Sequence, residues 1–301
     1  MHYTGNIFRP PFEARSLLLQ VTVGCSHNRC TFCTMYRNIS FQIEPMAQIE
    51  QDLKEASYYY PNTRRVFLEN GDPFVLKTEQ LTEIAEMIHR YLPYVDTIAM
   101  YASMYASIKN IRSKSSEDLR LLRSHGINDL NIGVESGYDP ALKYMNKDHT
   151  CEEAVQELHR LTDAGMDFGL NIILGCAGSG HGEANALATA ELINRTQPGL
   201  IFTGTMHSDP GCPLYEDMQN GTFLENSIGE YLEEEEILVS NLDLKFCEYF
   251  ALHPSNIVRA DLLLPKEKDL LLHKIRQTRA GMTKETLMSR PSRVGEGGIL
   301  L

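Results

Sequence analysis

Six short runs along the chain are apolar at nearly every position: residues 16–23 (SLLLQVTV), 64–69 (RRVFLE), 96–102 (DTIAMYA), 129–135 (DLNIGVE), 167–174 (DFGLNIIL) and 199–205 (GLIFTGT). A strand covered on both faces reads this way, because neither row of side chains meets water. Between the runs, residues 45–60 and 78–91 carry apolar positions at helical spacing. Other helix ends are marked: Ser115 or Ser116 starts one that Gly126 stops, and Thr150 with Glu153 forms a capping box ahead of another that Gly165 follows. Alternating strands and helices specify a parallel sheet with right-handed crossovers. Six such units are too few to close an eight-stranded barrel. The predicted fold class is therefore α/β, a partial (βα)6 TIM-like barrel of parallel strands, its wide side left for substrate.

After the sixth run come a short helix at 213–219, an acidic helix at 229–240 containing EEEE, and a helix at 266–280 stopped by Gly281. These are expected to cover the bottom or the open edge of the barrel. The predicted organisation is a barrel over 1–225, a short helical C-terminal extension over 226–281 and a flexible tail over 282–301, where periodicity is weak and a Gly-Gly pair stands near the end.

Composition narrows the partners. Apolar residues make up 43% and charged residues 23%, close to soluble averages, and no run approaches the ~18 apolar residues of a membrane span. The first residues lack the apolar run and cleavage site of a signal peptide. A cytoplasmic protein with no membrane partner is expected. The net charge of -12 argues against wide contact with phosphate backbones, so no nucleic-acid partner is expected. Residues 1–40 run the other way, with Arg9, Arg15, Arg29 and Arg37 against Glu13 alone. Seven cysteines in a reducing compartment make a disulfide framework improbable and point the clustered ones toward metal or redox chemistry.

The cluster is GCSHNRCTFCTMY, which puts Cys25, Cys30 and Cys33 in the loop after the first run, at the catalytic face of a βα barrel. Iron–sulfur clusters are held by cysteine thiolates, and three of them leave one iron of a [4Fe–4S] cluster open. An open position is where a metal site takes substrate or cofactor. A structural zinc with His27 as fourth ligand is the alternative that spacing alone permits.

The segment resembles the CxxxCxxC signature of the radical S-adenosylmethionine (SAM) superfamily, with the aromatic Phe32 before the last cysteine and one extra residue between the first two. Two further motifs join it in order. Asn70, Gly71, Asp72 and Pro73 after the second run are similar to the superfamily's GGE segment. The stretch NIGVESGYDPALKYMNKDHT, with Glu135 and Ser136, resembles the branch containing oxygen-independent coproporphyrinogen oxidase-like proteins and tRNA methylthiotransferases. The resemblance implies an oxygen-sensitive enzyme with a [4Fe–4S] cluster on Cys25, Cys30 and Cys33. SAM would lie against Phe32, the Asn70–Pro73 turn, Glu135 and Ser136, with Asn171 and Ile173 beside the adenine and Ser103 within reach. It further implies reductive cleavage of SAM to a 5′-deoxyadenosyl radical that abstracts hydrogen from a substrate.

The substrate is reached by elimination. The oxidases carry another cysteine soon after the third, where this chain has Thr34, Met35 and Tyr36, and no RNA-binding or cobalamin-binding unit is visible. A small molecule or a peptide remains. The basic residues near the cysteines imply an acidic flavodoxin or ferredoxin-type electron donor. Cys176 and Cys212 follow the fifth and sixth runs and are read as inert buried thiols. The alternatives to the enzyme are a zinc-stabilised barrel and a non-catalytic iron–sulfur regulator.

Overall fold

The computed structural model describes residues 1–101 and 107–291. Eight strands form one sheet: β1 (Leu17–Gln20), β4 (Arg65–Glu69), β5 (Thr97–Tyr101), β6 (Ile127–Glu135), β7 (Phe168–Leu174), β8 (Leu200–Thr205), β9 (Cys247–Phe250) and β10 (Asp261–Leu264), in that order. Neighbours from β1 to β9 pair in parallel, and β10 runs antiparallel to β9. A separate ribbon pairs β2 (Thr22–Val23) with β3 (Gln42–Ile43). The first run therefore breaks at Val21 into a sheet strand and a ribbon strand.

Helices α1 (Met46–Tyr59), α2 (Thr78–Tyr91), α3 (Ser107–Arg112), α4 (Ser116–Ser124), α6 (Cys151–Asp163) and α7 (Gly182–Thr196) cover the outer face, while α5 (Asp139–Tyr144) and α8 (Pro213–Asn220) pack into a separate cluster with Cys176 and Met206. Each buries one stripe, as α2 does with Leu81, Ile84, Ala85 and Ile88. Ser115 and Thr150 cap α4 and α6 through the N–H groups of Asp118 and Glu153. Leu19, Leu68, Met100, Ile132 and Ile172 meet these helices in the main core. Alternate residues of the same strands turn inward. Among the described residues, no helix is long and apolar enough to cross a membrane.

Three features depart from the sequence expectation. The wide side of the barrel is partly filled by the chain's own start. Ile7 packs on Leu18, Phe67 and Ala99, the Phe12 ring lies 5.8 and 5.7 Å from those of Phe202 and Phe250, and buried Glu13 pairs with Arg65. The extension is not purely helical, since β9 and β10 continue the barrel sheet beside α9 (Ile228–Asn241) and α10 (Lys268–Ala280). Two four-residue strands, one holding Glu248 and the other opening on Asp261, carry too little pattern to be read. Within the expected tail, Thr283 caps a further helix, α11 (Lys284–Met288), and the Ile228 N–H donates to the Ser289 carbonyl at 2.9 Å.

The acidic run is solvated on one side only, with Glu233 exposed and Glu236 half-buried. Glu234 and Glu235 are buried. Glu234 accepts from the Gly175 N–H (2.9 Å), Asn185 Nδ2 (2.7 Å) and Asn226 Nδ2 (3.0 Å), and Glu235 accepts from the Tyr249 hydroxyl (2.9 Å). Two carboxylates key α9 into the end of β7 and onto β9.

Candidate cofactor site

The β2–β3 ribbon clamps both ends of the cysteine loop. Cys25 and Cys30 are only 3% and 2% exposed, Cys33 is half-buried, and Phe8 and Tyr36 pack around them with rings at 5.3 Å, edge to face. Arg37 donates to the carbonyls of Cys30 (3.1 Å) and Cys33 (3.2 Å), and Asn28 Nδ2 to that of Tyr36 (2.7 Å). The loop also binds the rest of the barrel mouth: Thr31 N–H to the Met145 carbonyl (3.2 Å), and Leu214 N–H to the Thr31 carbonyl (2.9 Å). The Thr34 hydroxyl donates to Asp209 (3.5 Å). Burial pushes the Cys25 and Cys30 thiols up. Such thiols become thiolates only when a cation compensates the buried charge, which is what iron supplies.

His27 does not join them. Its Nε2 lies 2.9 Å from the Asn146 carbonyl and its Nδ1 3.2 Å from Asp148, so both ring nitrogens are engaged away from the cysteines. Among the described residues, no three His, Cys, Asp or Glu groups converge as one ion would require. The zinc alternative loses its fourth ligand.

The turn after β4 is built into this loop. Gly71 has φ +60°, and a β-carbon on it would lie 2.0 Å from the Gly24 carbonyl oxygen. Its N–H donates to the Tyr36 hydroxyl at 3.1 Å. The bare glycine thus admits the cysteine loop's own main chain. Asn70 is held at φ 90° with its Oδ1 buried and unpartnered. Asp72 is fully buried between Ser26 and Asn110 Nδ2 (2.6 Å), and burial raises its carboxyl to about 6. Pro73 opens a 3-10 turn over Pro73–Val75.

At the end of β6, Glu135 sits at φ +69° and its Oε1 meets Lys147 Nζ at 3.1 Å, both side chains buried. Burial outweighs that ammonium and raises the Glu135 carboxyl to about 6. The Ser136 hydroxyl donates to Asn185 Oδ1 (2.6 Å) and accepts from the Tyr138 N–H (2.8 Å), tying β6 to α7. On β7, Asn171 pairs in register with Gly133 on the inner face. Ile173 and Phe32 pack against one apolar cluster that includes Met145, Cys176 and Met206. Ser103 lies outside the described residues. Cys176 donates to Asn185 (3.6 Å) and Cys212 to the Asp209 carbonyl (3.2 Å).

The four N-terminal arginines do not form one patch. Arg29 and Arg37 stay with the cysteine loop, while Arg9 and Arg15 line a cleft of about 840 Å³ with Arg64 and Arg65, where β4 begins. Sequence reasoning missed Tyr36 and Lys147. Tyr36 stands three residues past Cys33 and Lys147 lies inside NKDHT, but neither residue type advertises a buried partner.

The orphaned Asn70 Oδ1 and the buried thiols fit a cluster with SAM on its open iron. Comparison with known proteins agrees. The radical SAM superfamily model matches residues 19–191, more than half of the chain, and the chain belongs to that superfamily. The heme chaperone HemW of Bacillus subtilis (strain 168) is 26% identical over 161 residues, 51% of this chain and 41% of that protein. The tRNA-2-methylthio-N(6)-dimethylallyladenosine synthase of Idiomarina loihiensis is 24% identical over 213 residues, 68% of this chain and 43% of that one. The matched stretches thus span about two fifths of these relatives. The branch expected from GVESG is the one they represent. Methylornithine synthase (PylB) superimposes with a TM-score of 0.52 at 15% identity, over 86% of this chain and 68% of its own, which shows the same fold. The protein is a radical SAM enzyme whose cofactors are a [4Fe–4S] cluster and SAM.

Proposed function

We propose that Cys25, Cys30 and Cys33 hold the cluster and that the enzyme abstracts hydrogen from a small molecule or a peptide. The contact between Gly71 and Gly24 carries the reading. It sets a turn with an unpartnered acceptor, Asn70 Oδ1, directly against the cysteine loop. Together, cluster and SAM supply a 5′-deoxyadenosyl radical by one-electron cleavage of the sulfonium.

The chain's own residues then bind and orient. Asn70, Gly71, Asp72 and Pro73 form the edge that receives the amino group of SAM, with Asp72 holding the turn through Asn110 and Ser26. Glu135 offers a carboxylate to the ribose or the amine, steadied by Lys147. Phe32 and Ile173 provide apolar packing and Asn171 a carboxamide at the adenine. Ser136 acts as a positioning residue through Asn185, and Ser103 is assigned to the same cofactor surface. A flavodoxin or ferredoxin-type donor supplies the electron on the side of Arg29 and Arg37. Reduced thiols and an oxygen-sensitive cluster support a cytoplasmic setting.

The test is anaerobic cluster reconstitution followed by SAM and dithionite. The native protein should yield 5′-deoxyadenosine, and the Cys25→Ala, Cys30→Ala, Cys33→Ala triple variant none. Absence of the product from iron-loaded native protein would refute the proposal. Deuterium transfer into 5′-deoxyadenosine then screens candidate substrates.

A further inference from the structure

The inner face of the sheet holds polar groups that the cofactor assignments leave unused. Leu68, Leu130 and Ile132 meet the outer helices, whereas Phe67 turns inward with Leu18 and Ala99. Strand alternation therefore turns Glu69 and Asn131 inward as well. One register row joins them. Leu68 pairs with Met100, which sets Glu69 level with Tyr101, and Tyr101 pairs with Asn131. They stand two strands apart, about 10 Å.

Glu69 is 0% and Asn131 1% exposed. Glu69 Oε1 accepts the Phe8 N–H at 3.0 Å, but its Oε2 has no partner, and neither Nδ2 nor Oδ1 of Asn131 has one. The next residue of the row is Gly169, where a β-carbon would lie 3.3 Å from Asn131 Oδ1. Gly133, two residues nearer the mouth on β6, also carries no side chain. Burying unpaired polar atoms lowers stability, and native proteins keep them mainly where a ligand or water completes the pairing. The row beneath is the apolar Leu18, Phe67 and Ala99, so apolar side chains suit this interior. Three unpaired atoms in one row ask for a partner.

We propose that Glu69 and Asn131 bind the head group of the substrate, and that this head group is a primary amine or a carboxamide. Its N–H groups satisfy Glu69 Oε2 and Asn131 Oδ1, and a carboxamide oxygen also accepts from Asn131 Nδ2. A carboxylate or phosphate would meet the Glu69 carboxylate with only Arg9 to offset it. Arg9, the cation whose field reaches Glu69, gives its Nη atoms to the Ala14 (2.9 Å) and Ser16 (3.2 Å) carbonyls and keeps one donor, a buried Nε. Asn131 lies four residues below Glu135, about 13 Å down the strand. A head group anchored there leaves the remainder of the molecule to reach up to the cofactor. The assignment rests on the radical SAM reading of the barrel mouth.

The test is ligand-observed NMR titration of the full chain, without SAM, with propylamine, propionamide and propionate. The two nitrogen compounds should bind at least about tenfold more tightly than propionate, and Asn131→Leu should weaken both by about tenfold. The same variant should raise the melting midpoint by a few degrees, because it removes two unpaired polar atoms while keeping the branched shape of the side chain. Glu69→Gln, a second variant, should weaken propylamine more than propionamide. Equal binding of propionate, unchanged affinities in both variants, or a lower melting midpoint for Asn131→Leu would each overturn the proposal. Production of 5′-deoxyadenosine by the native protein is read separately. Its absence would strike the cofactor reading, while the titrations still judge the row.

Discussion

Gly71 and Gly24 meet main chain to main chain, both with positive φ, at a separation that leaves no room for even one added carbon between them. Two segments 47 residues apart in sequence are thereby made into one surface. The cysteine loop takes its shape from the turn after β4, and Tyr36 locks the pair by accepting the Gly71 N–H.

Gly71→Ala should therefore act on the cluster without touching a cysteine. The left-handed conformation costs alanine about 1–2 kcal/mol, and the collision with Gly24 adds to it. A total loss of about 2–4 kcal/mol is expected by urea denaturation, together with less iron per chain after reconstitution. Native iron content in a folded variant would contradict this.

His27→Gln separates iron from zinc. Both imidazole nitrogens face Asn146 and Asp148, so the variant should lose about 1–2 kcal/mol of stability while keeping its iron stoichiometry. Loss of metal with stability intact would restore His27 as a ligand.

Lys147→Met leaves Glu135 buried without its cation, a change that costs about 3–5 kcal/mol near neutral pH. Glu135 is raised to about 6 even with Lys147 present, and removal of the ammonium raises it further. Below that value the carboxyl is neutral and the missing cation matters less. Melting curves should show a smaller deficit at pH 5 than at pH 7.5.

Buried carboxyls also set the pH dependence of the native fold. Burial raises Glu69, Glu234 and Glu235 to about 7, and Asp72 to about 6. A folded value above the unfolded one means stability that is complete below the unfolded value and lost as pH rises through the folded one. The melting midpoint should climb as pH falls from 8 to about 6.5. Below that, His149, which burial lowers to about 3, opposes the trend, because the unfolded chain takes up its proton first. Glu235→Gln, which removes a charge held by a single Tyr249 hydroxyl, should flatten the rise measured by calorimetry.

Much of the architecture was legible because it is local. The helix at 78–91 appears over the same residues, Thr78–Tyr91, since its stripe and ends lie within one stretch of chain. The six apolar runs became six parallel strands for the same reason. What Gly71 packs against was not legible, because nothing near it in sequence announces Gly24. Nothing in the EEEE run announced which of its carboxylates are buried, since a carboxylate is buried only where donors such as Asn185 and Tyr249 arrive from other elements.

Periodicity, caps and cysteine spacing by themselves determined the strand order in the chain, the parallel α/β class and the loop that bears the thiols, because these depend on residues within a turn or two of each other. Only the tertiary structure decided what lies inside. It brought Phe8 and Tyr36 around the cysteines, filled the wide side with Ile7 and Phe12, and left Glu69 and Asn131 facing inward with atoms unpaired. Burial and hydrogen-bond pairing are properties of distant segments meeting, and no local pattern encodes which segments meet.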